Sequence, residues 1–336
     1  MIRFFKVKHI ACHSSLRVVV CFFYAPFSPF RFLFSDFLEK NMPFYFVLSP
    51  ICAIFAVSIN IRSFLRYQIY TQMRVLIVNT SEKTGGAAVA ANRLMDALNN
   101  NGVKAKMLVR DKETEDITVV SLPRSLRLQW NFLWERWCVF WHLHFSRQRL
   151  WEVDMATSGT DITRLREFQE ADVIHLSWIN QGMLSLKNIR KIIRSGKPVV
   201  WTMHDLWPAT GICHYARGCN RYASACGNCP LLPNKGSKND LSAKIIRRKK
   251  ELYHRGVISF VTCSRWLERQ AKGSGLFVGQ RITNIPNPID THVFCPQNQA
   301  EARLRAGLPA DKHIILFVSQ RVTDGRKGMR YFIEAI

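Results

Sequence analysis

Acidic side chains are scarce in this chain. Its 336 residues carry 24 Asp and Glu against 48 Lys and Arg, a net charge of +24. Such a field repels cationic partners and draws anionic ones: nucleic acid, phosphorylated substrates or anionic lipid. Cysteine is too sparse for a disulfide-stapled miniprotein, with ten in the whole chain. Six of these (Cys12, Cys21, Cys52, Cys138, Cys263 and Cys295) are scattered, several in apolar runs, as suits thiols in a reducing, cytoplasmic compartment. Internal repeats and low-complexity tracts are absent, which excludes a solenoid. Hydrophobic residues make up 48% and charged residues 21%, so a sizeable core can be buried in two domains of ordinary size.

Long charge-free runs are missing too, with one exception. Residues 43–61 carry no charge over 19 residues, between Lys40 and Arg62. One reading is a membrane-spanning anchor. Pro50, Ser49, Ser58 and Asn60 interrupt it, which argues against that reading. Residues 1–72 also hold 13 of the 22 phenylalanines and only two acids, Asp36 and Glu39. Met73 then opens a clean strand, MRVLIVNTS, so the expectation is an atypical extension over 1–72 from a mis-start. At the other end, residues 313–319 read as a strand and residues 328–336 begin a helical pattern. A strand and part of a helix do not make a domain. The expectation is therefore a first domain over 73–308, a second one cut short at 309–336, and an incomplete, inactive fragment.

From Met73 to about Pro309 strands and helices alternate. Short apolar runs at residues 74–79, 103–109, 172–176, 198–203 and 257–263 read as buried parallel strands, with helical segments between them. This is a doubly wound α/β pattern. Gly85 and Gly86, between the first strand and a helix over 87–100, suit a phosphate. Glycine lets the backbone approach an anion, and a helix N-terminus offers free N–H donors. Glycine at such a turn also serves purely steric needs, and both readings stand.

His204 follows the apolar run Pro198-Val199-Val200-Trp201-Thr202-Met203. A histidine at the carboxyl end of such a strand lies where open α/β sheets place ligands. Cys213, Cys219, Cys226 and Cys229 follow within 17 residues, spaced C-x5-C-x6-C-x2-C. Four thiolates can hold a tetrahedral, structural Zn²⁺, with His214 as an alternate ligand. Plain reduced thiols, disulfides and an iron–sulfur cluster are the other readings.

Residues 125–151 contain five tryptophans. Leu126, Trp130, Leu133, Trp134, Trp137, Phe140 and Trp141 recur at helical spacing, with Arg127, Asn131, Glu135 and His142 on the other side and Arg147 and Arg149 beyond. Tryptophan with arginine suits a helix lying on an anionic membrane. The alternative is a stripe buried in the core or against the rest of the second domain. A basic stretch, residues 244–250, reads as a solvated helix face that could extend the same surface. Near the end, Arg321 and Lys327 could grip a diphosphate together, one as a planar fork and one as a point charge.

These pieces jointly resemble the retaining glycosyltransferases of family 4, which have the GT-B fold of two facing Rossmann-like domains. The carriers are MRVLIVNT with the Gly85-Gly86 loop, VVWTMHD, VTCSRWL, the linker IPNPIDTHVFCP and the run RVTDGRKGM. HDLWPATGICHY and CGNCPLL look like a Cys-rich subgroup common in bacterial surface-polysaccharide synthesis. The resemblance implies that Arg321 and Lys327 hold the donor diphosphate and stabilise the leaving group. It implies that Gly85 and Gly86 close on the donor, that His204 sits near the donor sugar and acceptor, and that Asp205 orients it. The implied reaction moves a sugar from a nucleotide-diphosphate donor to a glycan or lipid-linked hydroxyl acceptor with retention, at the inner face of the cytoplasmic membrane. No catalytic metal and no nucleic acid are implied. Gln320 departs from the family, which usually has glycine there. Two other readings are a zinc-knuckle nucleic-acid-binding protein and a phosphorylase or epimerase of the same fold.

Overall fold

The computed structural model describes residues 72–319 and 323–335. The extension expected at 1–72, apart from Gln72, and Arg321 of the clamp lie outside the described residues.

Seven strands form one parallel sheet. They are β1 (Arg74–Val78), β2 (Lys104–Val109), β3 (Val119–Ser121), β4 (Val173–Leu176), β5 (Val199–Met203), β6 (Ile258–Thr262) and β7 (Arg281–Asn284). The order is β3-β2-β1-β4-β5-β6-β7, every pair parallel. The central strands are mostly apolar because both faces are covered, with His175 in β4 and Thr202 in β5 as polar exceptions. In β1, Leu76, Ile77 and Val78 are all buried, and Ile77 lies opposite Met107 on one side and His175 on the other. The chain winds outward from β1 to β3, then returns to lay β4 on β1's free edge. That reversal makes the carboxyl ends of β1 and β4 a topological switch point.

The helices are α1 (Gly86–Asn100), α2 (Leu126–His142), α3 (Arg166–Glu170), α4 (Leu186–Arg194), α5 (Leu241–His254), α6 (Arg265–Lys272), α7 (Gln299–Arg305) and α8 (Met329–Ala335). Their starts are capped as the sequence dictates. Ser125, Asp240 and Ser264 accept the amides of Leu128, Ala243 and Leu267, and Ser185 with Asn188 forms a capping box. An aromatic cluster fills the space behind β5 and β6. Trp201 stacks on Phe260 at 5.8 Å, and Phe260 meets Phe277 edge-on at 4.5 Å.

Two expectations are corrected. Residues 313–319 form no strand, and Ile315, Leu316 and Val318 are largely exposed. A parallel strand needs a neighbour to accept its amide hydrogens, and no ladder includes these residues among the described ones. The basic stretch at 244–250 is not a wholly solvated face: it lies on α5, where Ile245, Ile246 and Lys249 are buried. Among the described residues no helix is long and apolar enough to cross a membrane.

Helix α2 buries its polar side. Asn131, Glu135 and Arg136 face inward, while Trp130, Trp134, Trp137 and Trp141 are each about half exposed or more. The core alternative for the tryptophan stripe is therefore excluded. The Glu135 carboxylate accepts the backbone amides of Met155, Ala156 and Thr157, each at 2.8 Å. Arg136 donates to the Leu150 carbonyl and pairs with buried Asp154. A turning loop has many unpaired amides, and a buried carboxylate beside it satisfies several at once.

Candidate functional site

Strands β4 and β5 end side by side, and their next residues make the site. Ser177 follows β4 and His204 follows β5; the Ser177 Oγ lies 3.1 Å from His204 Nε2. Burial pulls the His204 imidazole below its ordinary value, against an opposing pull from Asp205. One step deeper, His175 bonds Thr202 at 2.8 Å, and burial lowers it to about 4. Both rings are thus held neutral at neutral pH.

Asp205 turns away from His204. Its carboxylate accepts the Trp178 indole N–H and the Trp207 amide, each at 2.9 Å, and meets His214 Nδ1 at 2.7 Å. The group that fixes His204 is thus Ser177, and Asp205 fixes the loop behind it. Burial would raise the Asp205 carboxyl, but the His214 charge and these donors outweigh it and hold it low. His214 Nε2 faces Asp154 at 3.3 Å. Burial alone would lower this imidazole; Asp205 on one nitrogen and Asp154 on the other instead raise it to about 9. A buried charge chain results: Arg136, Asp154, His214, Asp205. It ties α2 to the loop after β5. With both ring nitrogens on carboxylates, His214 is no alternate ligand for the cysteines.

In front of His204 lies an open cavity of about 450 Å³. His204, Asp205, Tyr215, Ser264, Arg326 and Lys327 all line it. The structure therefore brings Lys327 and His204 to one space, although the sequence separates them widely. Lys327 sits in a single 3-10 turn, residues 325–327, capped by Asp324. Arg326 pairs with that Asp324 and lies over the Tyr215 ring at 4.4 Å. The cavity can take an anion on its cationic rim and a hydroxyl near a neutral imidazole. Gly85 and Gly86 do not line it. They stand at the start of α1, after β1. Gly85 has φ 92, which favours glycine, and a side chain at either position would meet nothing within 4 Å. That loop is open to solvent or a ligand.

The cysteines form a separate cluster. Cys213, Cys219, Cys226 and Cys229 line one cavity of about 20 Å³. None of the cysteines among the described residues is disulfide-bonded. Burial pushes the Cys213 thiol up to about 11 and the Cys226 thiol up to about 12.

Reasoning from sequence missed Ser177, Trp178, Asp154, Tyr215 and Arg326. The usable signal for Ser177 was its place after a buried strand. Asp154 and His214 are 60 residues apart, and no local pattern joins them.

Residues 84–293 match the family model described as Glycosyltransferase Family 4, more than half of the chain. The chain is also similar to the putative colanic acid biosynthesis glycosyl transferase WcaC of Escherichia coli (strain K12), 32% identical over 85 residues. That stretch covers 24% of this chain and 20% of the relative, so the match spans about a fifth of the relative's length. The family span takes in the Gly85-Gly86 loop, His204, Asp205 and the cysteine loop, and it ends before Lys327. On that span, over a parallel sheet with its cavity at the carboxyl ends of the strands, the chain belongs to glycosyltransferase family 4.

Proposed function

We propose that this chain belongs to an enzyme that moves a sugar from a nucleotide-diphosphate donor to a hydroxyl acceptor with retention, in polysaccharide or lipid-linked glycan synthesis. The observation that carries the reading is the shared cavity of His204 and Lys327 at the end of β5. Cleavage of the bond from the anomeric carbon to the β-phosphate oxygen leaves negative charge on that phosphate. Lys327, with Arg321, stabilises this charge more in the transition state than in the ground state, which is what raises a rate. The acceptor oxygen bonds to the same face of the sugar, and its proton passes to the departing phosphate. His204, neutral and steadied by Ser177, hydrogen-bonds the sugar or the incoming hydroxyl. Gly85 and Gly86 close on the donor from the neighbouring strand end.

The acceptor is lipid-linked, and α2 sets the enzyme on the membrane that holds it. Two observations support this. Trp130, Trp134, Trp137, Trp141 and Trp151 are all exposed together with Arg124, Arg127 and Arg147. Between residues 117 and 151 the one acid is Glu135, and it is buried. An exposed aromatic face edged by cations and free of exposed acid fits anionic headgroups. The relative's name, a colanic acid biosynthesis glycosyl transferase, agrees with a polysaccharide product.

The reading is tested by screening nucleotide-diphosphate sugars for nucleoside diphosphate release that requires an added glycan or lipid-linked acceptor. Release that depends on such an acceptor is expected. Reaction with phosphate or water alone would instead favour a phosphorylase or hydrolase.

A further inference from the structure

We infer that Cys213, Cys219, Cys226 and Cys229 form a four-thiolate zinc site that staples the loop between β5 and α5. The inference stands apart from the transferase reading, since four protein ligands leave no position open for chemistry. It starts from a deficit. From His204 to Asp240 the chain has no α-helix or strand, only three short 3-10 turns. A loop of that length inside a compact fold needs something to hold it. Its ends are packed into the core through Leu206, Trp207 and Ile212 and through Leu231 and Leu232, but between them Tyr215, Arg217, Gly218 and Asn220 are exposed.

The four cysteines come together in this loop. They all line one space of about 20 Å³, room for one water-sized occupant and no larger ligand. The backbone closes a turn just after the last cysteine, where the Leu232 amide donates to the Cys229 carbonyl at 3.1 Å.

The turn between the last two cysteines is shaped for the same purpose. Cys226, Gly227 and Asn228 have φ of 56, 99 and 45 in succession. Left-handed backbone at two non-glycine positions costs energy and persists only where the surroundings demand it. It is held from outside, by Ser242 Oγ on the Gly227 amide and by the Asp240 carboxylate on the Cys229 amide. A side chain at Gly227 would run into the Lys238 carbonyl at 2.7 Å. The result directs Cys226 and Cys229 into the one cavity.

Behind the loop, Lys249 is fully buried, with its side-chain nitrogen on the carbonyls of Trp207 and Thr210 and over the Trp207 ring at 3.4 Å, which fixes the loop's first turn. As the side chains stand, no three His, Cys, Asp or Glu among the described residues meet in ready coordination geometry. Binding must therefore draw the sulfurs inward upon the cavity, each releasing its proton as it bonds.

Metal analysis of the whole chain, purified without chelator, tests this. About one zinc per chain is expected for a four-thiolate site. Replacement by Co²⁺ should give the intense visible bands of tetrahedral cobalt and a sulfur-to-cobalt charge-transfer band. Both should vanish in Cys226→Ser with Cys229→Ser, whereas Cys229→His should keep the metal, since imidazole also ligates it. Should the serine variant fail to fold, the cobalt spectrum of the unaltered chain still decides. Absence of zinc with no cobalt bands overturns the site. So does a mass lower by two hydrogens per cysteine pair, the sign of disulfides.

Discussion

His214 carries a charge in the interior and has two aspartates to thank for it. Its raised value, about 9 against an ordinary 6.5, makes it a term in stability. The folded chain binds the proton more tightly than the unfolded one. The stabilisation is therefore complete below pH 6.5 and fades as pH rises towards 9. It amounts to at most about 3 kcal/mol. His175 works in the other window, since its value is lowered to about 4. Its contribution is present above pH 6.5 and is lost as pH falls towards 4. Melting temperature should thus drop between pH 6.5 and 9, and His214→Gln should flatten that drop. An equally steep drop in the variant would show that the clamp does not titrate there. Nothing in the sequence revealed this pair. The motif HDLWPATGICHY displays Asp205 and His214, but the sequence-based expectation gave Asp205 to His204 and offered His214 to a metal. Which neighbour a buried histidine takes depends on Asp154, brought in by the loop after α2.

Helix α2 is the element where pattern and placement part company. The spacing of its tryptophans was plain in the sequence, and so was the opposite polar side. What the spacing could not tell was which side faces the protein. A polar side is buried only if distant partners satisfy it, and here they are the amides of residues 155–157 and the Asp154 carboxylate. The exposed side should act on membranes. Co-sedimentation with vesicles of phosphatidylcholine should rise with added phosphatidylglycerol and fall with salt, given a screening length of about 10 Å at 0.1 M. Replacing Trp130, Trp134, Trp137 and Trp141 by serine should abolish it while the chain stays folded, as circular dichroism would show, since none of the four side chains is in the core. Binding that survives those changes would leave α2 without a membrane role. Strands show the converse limit. The central ones were legible because they are mostly apolar runs. β3 has three residues, and β7 reads Arg-Ile-Thr-Asn with none buried, so neither gave a signal. Residues 313–319 gave a strong signal and form no strand, because pairing needs a neighbour as well as a propensity.

At the scale of the molecule, the sheet does one thing for function. Its order places the ends of β1, β4 and β5 together, and with them the glycine loop, Ser177 and His204. The doubly wound class was readable from the alternation of elements. The meeting of His204 with Lys327 across one cavity was not, because it depends on how the last turn folds back. The transfer reading makes these two residues differ in kind. Lys327→Ala removes a cation from the departing diphosphate and should cost roughly 2–4 kcal/mol in the transition state, about 30- to 1000-fold in rate. Arg321→Ala should cost a similar amount, and the two losses should not add, because both act on one anion. His204→Ala should slow transfer by a comparable factor yet leave nucleoside diphosphate affinity nearly unchanged, since the proposal gives the ring to the sugar and the phosphates to Lys327 and Arg321. The deciding measurement is therefore paired: acceptor-dependent sugar transfer and nucleoside diphosphate affinity for His204→Ala beside the unaltered protein. Lost transfer with retained affinity is the predicted result. Unchanged transfer would contradict the assignment of the cavity as the place where sugar moves.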